Sequence, residues 1–223
     1  MSHTPSKKLG IVLMGDGDPE KLSDVGMYLG DEIGVHIRGI VDGFTYEYIR
    51  GNLWPGAGES FIVSTFQGGK DIMISADKAM DLVNLQIREF EGAGVENILV
   101  FCTGHFPVIK SKGLVIVPEK IIYHLLMGLG VSRIGVMVPE AGQIEDSKKQ
   151  YSAFNALIKA ASPFGSIQNI RAAAREFKEE DVQVILTDCM GFTEDMGEVV
   201  ETEAAKRVIV PRVLIPGILK NMI

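Results

Sequence analysis

The sequence predicts an α/β protein of two pseudo-symmetric lobes, each a parallel sheet flanked by helices. Three observations predict it. First, Val95-Glu96-Asn97-Ile98-Leu99-Val100-Phe101-Cys102-Thr103-Gly104 and Val182-Gln183-Val184-Ile185-Leu186-Thr187-Asp188-Cys189-Met190-Gly191 share the phrase Val-x-x-Ile-Leu-x-x-Cys-x-Gly, and each takes one of the only two cysteines in the chain. Second, Lys8-Leu9-Gly10-Ile11-Val12-Leu13 is echoed by Arg133-Ile134-Gly135-Val136-Met137-Val138. Third, short apolar runs alternate with helical patterns, which is how βαβ units and a parallel sheet read in sequence.

The elements follow in order. Lys8 to Met14 reads as a buried strand closed by the turn-like Gly15-Asp16-Gly17-Asp18. Phe61 to Phe66 is a β-rich run stopped by Gln67-Gly68-Gly69. Ser75 is placed to cap a helix from about Ala76 to Glu91, in which Ala79, Met80, Val83, Ile87 and Phe90 recur at helical spacing. Gly92 and Gly94 end it, and the first repeat strand follows at Asn97 to Phe101. Gly113 to Val117 is a short strand, and Pro118 suits the first turn of a helix through Leu126.

Arg133 to Val138 is the next strand, ended by Pro139. Helices are expected from about Ile144 to Ala161, Ile167 to Glu180 and Thr193 to Arg207, with Ser162-Pro163-Phe164-Gly165 as a break. Pro211 and Pro216 punctuate a final apolar segment. The first half is longer than the second by about 38 residues, placed between Val41 and Phe61. That stretch holds Phe44, Tyr46, Tyr48, Trp54 and Pro55. It reads as a flap or edge feature over positions 44–55 near the site, with an ordinary packed insertion as the alternative.

Composition limits the functions. A chain of 223 residues, 46% apolar and 23% charged, is long enough to bury a core without a disulfide or metal staple. With 22 basic and 29 acidic residues the net charge is −7, which argues against nucleic acid or an anionic membrane as partner. A small-molecule carboxylate stays compatible, because a pocket can differ from the whole surface. No apolar stretch approaches 18 residues, and Met1-Ser2-His3-Thr4-Pro5-Ser6-Lys7-Lys8 lacks a secretory pattern. The expected location is cytoplasmic, with reduced cysteines. A homo-oligomer is allowed by the sequence and not required by it.

An apolar run, a thiol and a glycine describe a buried strand that hands a reactive group to the following loop. If the two halves face each other, Cys102 and Cys189 would flank one small molecule. The plainer alternative is that each cysteine is a small buried apolar residue. The other motifs are incomplete. Cys102-Thr103-Gly104-His105 has metal-like spacing without a second ligand pair. Gly68-Gly69-Lys70 lacks the rest of a phosphate loop, and Gly15-Asp16-Gly17 lacks the third glycine of a dinucleotide site. No metal and no cofactor is therefore expected. His105 is placed to orient a substrate or, more simply, to make a structural hydrogen bond. His36 and His124 lie in apolar or helical patterns.

Asp188-Cys189-Met190-Gly191-Phe192 after an apolar strand resembles the Asp-Cys-x-Gly-Phe signature of the AroM proteins. The resemblance extends over most of the chain through Pro55-x-x-Gly58-Glu59, Pro118-Glu119, Ile134 to Pro139 and Val210-Pro211. These proteins in turn resemble the aspartate/glutamate racemase superfamily. That likeness implies two α/β lobes with one cysteine from each at a shared site. It implies a first lobe over 1–112, with 208–223 packing back on it, and a second over 113–207. The amino-acid racemases carry Cys-Asn-Thr and Cys-Thr-His at their two cysteines. Here stand Cys102-Thr103-Gly104 and Cys189-Met190-Gly191, so an amino-acid substrate does not follow.

Cofactor-free inversion at carbon needs a base on one face and an acid on the other. A thiol titrates near enough to neutrality to act as either. The expected function is therefore racemase- or isomerase-like proton transfer on a small carboxylic acid, with Cys102 and Cys189 as catalytic pair. Gly15, Asp16, Thr103, Gly104 and Gly191 are the expected substrate-binding loop groups at strand ends. The alternatives are a single-cysteine lyase or decarboxylase of the same superfamily and a non-catalytic metabolite-binding protein linked to aromatic biosynthesis.

Overall fold

The computed structural model describes residues 7–223; the expectations for residues 1–6, including the lack of a secretory pattern there, lie outside the described residues. The chain forms two compact units. One runs to Pro118 and also includes Ile215–Ile223, and the other is Glu119–Leu214.

In the first unit the elements are β1 (Lys7–Leu13), α1 (Val25–Leu29), β2 (Ile33–Gly39), α2 (Tyr46–Tyr48) continued by a π turn over Ile49–Leu53, β3 (Phe61–Phe66), β4 (Lys70–Ser75), α3 (Ala76–Gly92), β5 (Asn97–Phe101) and β6 (Leu114–Ile116). Four strands make a parallel sheet in the order β2-β1-β5-β6. Leu9, Ile11, Val12 and Ile98 to Val100 are fully buried, as strands covered on both faces must be. α3 lays Ala79, Val83, Ile87 and Phe90 on this core at helical spacing. Beyond β5, buried Asn84 ties down the next loop: its amide donates to the Val108 carbonyl and its Oδ1 accepts from Lys110 N–H.

The second unit holds α4 (Pro118–Gly128, from Glu119 onward), β7 (Ile134–Val138), α5 (Ile144–Gln150), β8 (Leu157–Ala160), α6 (Ile167–Arg175), β9 (Val184–Thr187), α7 (Glu194–Ala204), β10 (Val208–Ile209) and the start of α8 (Pro211–Met222). Its parallel sheet has the order β8-β7-β9-β10. α6 and α7 are joined by Glu203, which accepts from Arg171 at 2.5 Å and from Arg175 at 2.7 Å.

The two sheets repeat each other strand for strand. β1 and β7 are the second strands, and β5 and β9 the cysteine-bearing third strands. Even the register agrees: Gly10 pairs with Ile98, and Gly135 with Ile185. Both glycines are there for the same reason. A Cβ on Gly10 would lie 3.0 Å from the Phe90 ring, and one on Gly135 would lie 2.9 Å from the Phe177 ring. Phe90 and Phe177 each precede their repeat isoleucine by eight residues. The repeat thus reaches back past the strands to the ends of α3 and α6.

Several elements depart from the sequence reading. The helix expected from Ile144 to Ala161 stops at Gln150; a 3-10 turn over Ser152–Phe154 and Asn155 in the left-handed region (φ 44°) lead into β8. The polar stretch of α5 runs on into Ser152, and β8 is only four residues long, so the switch is masked. β2 is an edge strand in which Ile33, Val35 and Ile37 alternate with Gly34, His36 and Arg38, a period-2 strand pattern without the continuous apolar run of the inner strands. Gly68 and Gly69, at φ 71° and 77°, do not end the β-run but reverse it, and β4 pairs antiparallel with β3 in a separate hairpin. β10 has only two residues. Ser75 stands at the start of α3 without capping it through its side chain; its hydroxyl serves Glu59 instead.

The extra length of the first unit lies between β2 and α3, at 40–75, where the second unit has only 161–166. Ile40, Val41, Ile49, Leu53, Ile62, Phe66, Ile72 and Ile74 bury into the core, with Phe44, Tyr46 and Trp54 against them. The aromatic segment is a packed insertion. Its hairpin also borders the first cysteine loop, since Ile62 lies 3.4 Å from where a Gly104 Cβ would stand.

Candidate functional site

β5 ends at Phe101, and Cys102 follows as a half-buried residue. The backbone turns at once: Cys102 N–H donates to the Val100 carbonyl at 2.8 Å. Two residues on, Gly104 N–H donates to Cys102 Sγ at 3.3 Å. Thr103 between them is buried, with 4% of its surface exposed. Neither cysteine is in a disulfide.

The second loop reproduces this geometry. Cys189 N–H donates to the Thr187 carbonyl at 2.8 Å, and Gly191 N–H donates to Cys189 Sγ at 3.3 Å. A backbone donor aimed at sulfur favours negative charge on it. Gly191 is also required by space: a Cβ there would lie 2.8 Å from the Phe164 ring and 2.9 Å from Pro163. At Gly104 the nearest atom would be Cys102 Sγ itself, at 3.3 Å.

The side chains around the second thiol add charge. Burial pushes the Cys189 thiol up to about 12; the Gly191 N–H opposes this, the Asp188 carboxylate adds to it, and the Arg212 guanidinium opposes it. Cys189 therefore rests protonated near neutral pH. Asp188 is itself held in place. Its N–H donates to the Met137 carbonyl at 2.8 Å, and its Oδ1 accepts from the hydroxyl of Tyr151 at 3.1 Å. Tyr151 is fully buried and also accepts from Gln150 Nε2 at 3.0 Å. Its hydroxyl titrates well above the ordinary tyrosine range, first because it is buried and then because the charges of Asp188 and Glu119 are near. Arg212 is 8% exposed and donates from Nη1 to the Met190 carbonyl at 3.0 Å.

The remaining predicted residues lie at the end of β1. Gly15 is buried with its backbone pressed on β3, so that a Cβ would fall 2.1 Å from the Thr65 carbonyl oxygen. Asp16 is half-buried and ion-paired with Lys21, whose Nζ also donates to that carbonyl at 2.9 Å. Gly15 and Asp16 thus belong to a loop that Lys21 and Thr65 already hold. His105 is exposed. Among the described residues no group of three or more His, Cys, Asp or Glu side chains is arranged to hold a metal ion, and no helix is long and apolar enough to cross a membrane.

Sequence reasoning missed Tyr151 and Arg212. Arg212 left one usable signal, a cation just inside an otherwise apolar terminal segment. Tyr151 left none, because it sits where a polar helix was expected to continue.

Two parallel α/β units of matching strand order, each ending its third strand in a cysteine loop, define the class. The fold is that of the aspartate/glutamate racemase-like proteins. A glutamate racemase from Bacillus anthracis superimposes with a TM-score of 0.63 at 12% identity, covering 98% of this chain and 82% of that one. A maleate isomerase from Pseudomonas putida gives 0.63 at 11% identity, over 97% and 92%. An unliganded arylmalonate decarboxylase gives 0.60 at 14%, also over 97% and 92%. A comparison with curated proteins gives no match. The family model described as AroM protein matches residues 9–223, and the chain belongs to the AroM family.

Proposed function

We propose that this protein catalyses cofactor-independent proton transfer at a carbon next to a carboxylate, with Cys102 and Cys189 as the acid/base pair. The observation that carries the reading is the shared frame of the two thiols. Each follows the third strand of its sheet, and each sulfur accepts a glycine N–H at 3.3 Å. A two-base reaction asks for two such groups, one to remove the proton and one to deliver its replacement on the other face. Thr103, Gly104 and Gly191 would then be the loop groups nearest the ligand, with Gly15 and Asp16 as the corresponding groups after β1. Racemase, isomerase and decarboxylase activities all occur on this fold among the similar structures, which supports the reaction class and not a particular substrate.

One observation favours a second reading. Cys189 is pushed up to about 12 and so is poised to give a proton rather than take one. A decarboxylation needs only that: loss of carbon dioxide leaves a carbanion, and one thiol protonates it. In that case Cys189 alone is essential.

The test is proton NMR in deuterium oxide with the wild-type protein and a panel of 2-substituted carboxylic acids and substituted malonates. Exchange of the proton next to the carboxylate is the expected outcome. Carbon dioxide release from a malonate selects the single-thiol reading. Tight binding of one panel member with no exchange and no turnover overturns both and leaves a metabolite-binding protein.

A further inference from the structure

The two cysteine loops share their backbone but differ in what holds them. At the first, the residue before the thiol is the buried apolar Phe101. At the second it is Asp188, gripped by the hydroxyl of a fully buried tyrosine. After the thiol, the Met190 carbonyl is gripped by a guanidinium that is 8% exposed. A buried phenol and a buried cation are costly to place, and both are spent on the immediate neighbours of one cysteine.

We infer that Tyr151 and Arg212 are positioning residues that bracket Cys189 through its two chain neighbours and make it the proton-donating thiol of the pair. Tyr151 acts through Asp188. Its donated hydrogen bond stabilises the carboxylate in the charged form and fixes it beside the sulfur, where a negative charge keeps the thiol proton in place. Arg212 acts in two ways. It fixes the loop by its bond to the Met190 carbonyl, and its positive charge limits how far the thiol is pushed, so that the proton can leave when a carbanion forms. Asp188 and Arg212 are the charged groups that act on Cys189, and Glu119 acts on Tyr151 behind them.

This deepens the proposed function, because it assigns a direction to one of the two thiols. The fate of the proton is simple to balance. A carbanion next to a carboxylate takes the Cys189 proton, the C–H bond forms, the S–H bond breaks and the thiolate keeps the electron pair. Solvent returns the proton to sulfur before the next turnover.

The experiment reads Cys189 alone, in the full chain carrying Cys102→Ser, by the rate of iodoacetamide alkylation between pH 6 and 11. No substrate is needed. In this background Asp188→Asn should move the profile to lower pH and raise the rate at pH 8 by about tenfold for every full pH step that the profile moves. Tyr151→Phe should move it the same way by a smaller step, and it should add nothing once Asp188→Asn is present. Arg212→Met should move it to higher pH and slow the reaction at pH 8, with Arg212→Lys restoring part of the rate.

A profile that does not move in Asp188→Asn overturns the inference. So does a Tyr151→Phe effect that is equally large with and without Asp188. If Tyr151→Phe does not fold, the opposite signs expected for Asp188→Asn and Arg212→Met still decide the charge bracket. The outcomes separate from those of the proposed function. Profiles that move as expected without any proton exchange on substrates would refute only the catalytic reading. Exchange with unmoved profiles would refute only the bracket.

Discussion

Cys102 and Cys189 sit in one backbone frame and in two chemical settings. Both follow a buried parallel strand, both turn on a 2.8 Å backbone bond, and both sulfurs accept a glycine N–H at 3.3 Å. The flanking side chains then part company. Phe101 and Thr103 stand where the second loop has Asp188 and Met190. The lesson is that sheet register fixes where a thiol stands, while the neighbouring side chains set the charge around it.

The largest expected effects test the shared frame. Phe90 and Phe177 each fill the space left by a strand glycine, so Phe90→Ala and Phe177→Ala should each cost about 3–5 kcal/mol of unfolding free energy. Chemical denaturation of the two variants measures it. A large loss at one position and none at the other would break the structural equivalence of the units.

A smaller and asymmetric effect is expected at the loop glycines. Gly191→Ala pushes a methyl into Phe164 and Pro163 and should cost about 1–3 kcal/mol. Gly104→Ala meets only contacts of 3.3 Å or more and should cost less than about 1 kcal/mol. Thermal melting of the pair gives the ranking; the reverse order would mean that the second loop has more room than its surroundings indicate.

The amount of this that was legible in the sequence follows the same division. Alternating apolar runs and the repeated Cys-x-Gly phrase disclosed the parallel sheets, their equivalence and the strand-end position of both thiols. Edge strands were less legible. β2 has no continuous apolar run, only Ile33, Val35 and Ile37 alternating with Gly34, His36 and Arg38, and β8 is four residues long and follows a polar helix through a short 3-10 turn and Asn155. The electrostatics of the site were only half legible. Asp188 is adjacent to Cys189 in sequence, and its bearing on the thiol could be argued. Tyr151 and Arg212 come from 37 and 22 residues away along the chain, measured to Asp188 and Met190, and only folding brings them in.

A further small effect concerns alkaline pH and isolates the second unit. Tyr151 and Cys189 both titrate above their ordinary values of 10.0 and 9.0 in the folded protein. The folded state therefore keeps protons that the unfolded state releases. The stability these groups contribute is intact below about pH 9 and is lost as pH rises through their folded values. Tyr151→Phe should be less stable than wild type at pH 8, by about 1 kcal/mol for the lost buried hydrogen bond, and should lose less of its remaining stability between pH 10 and 11. Denaturant midpoints over pH 8–11 read both effects; a wild-type midpoint that does not fall above pH 10 would mean the buried phenol gains nothing from being protonated.

Solvent-deuterium exchange into the carbon next to the carboxylate, followed by proton NMR in wild type, Cys102→Ser and Cys189→Ser, tests the two-thiol account most directly. Each serine variant should lose interconversion of enantiomers, a fall on the order of 10²–10⁴ for loss of a general acid or base. Cys189→Ser should keep exchange with one enantiomer only, through Cys102 as base, and Cys102→Ser should keep little exchange, because Cys189 rests protonated. Exchange of both enantiomers at the wild-type rate in either variant would contradict it.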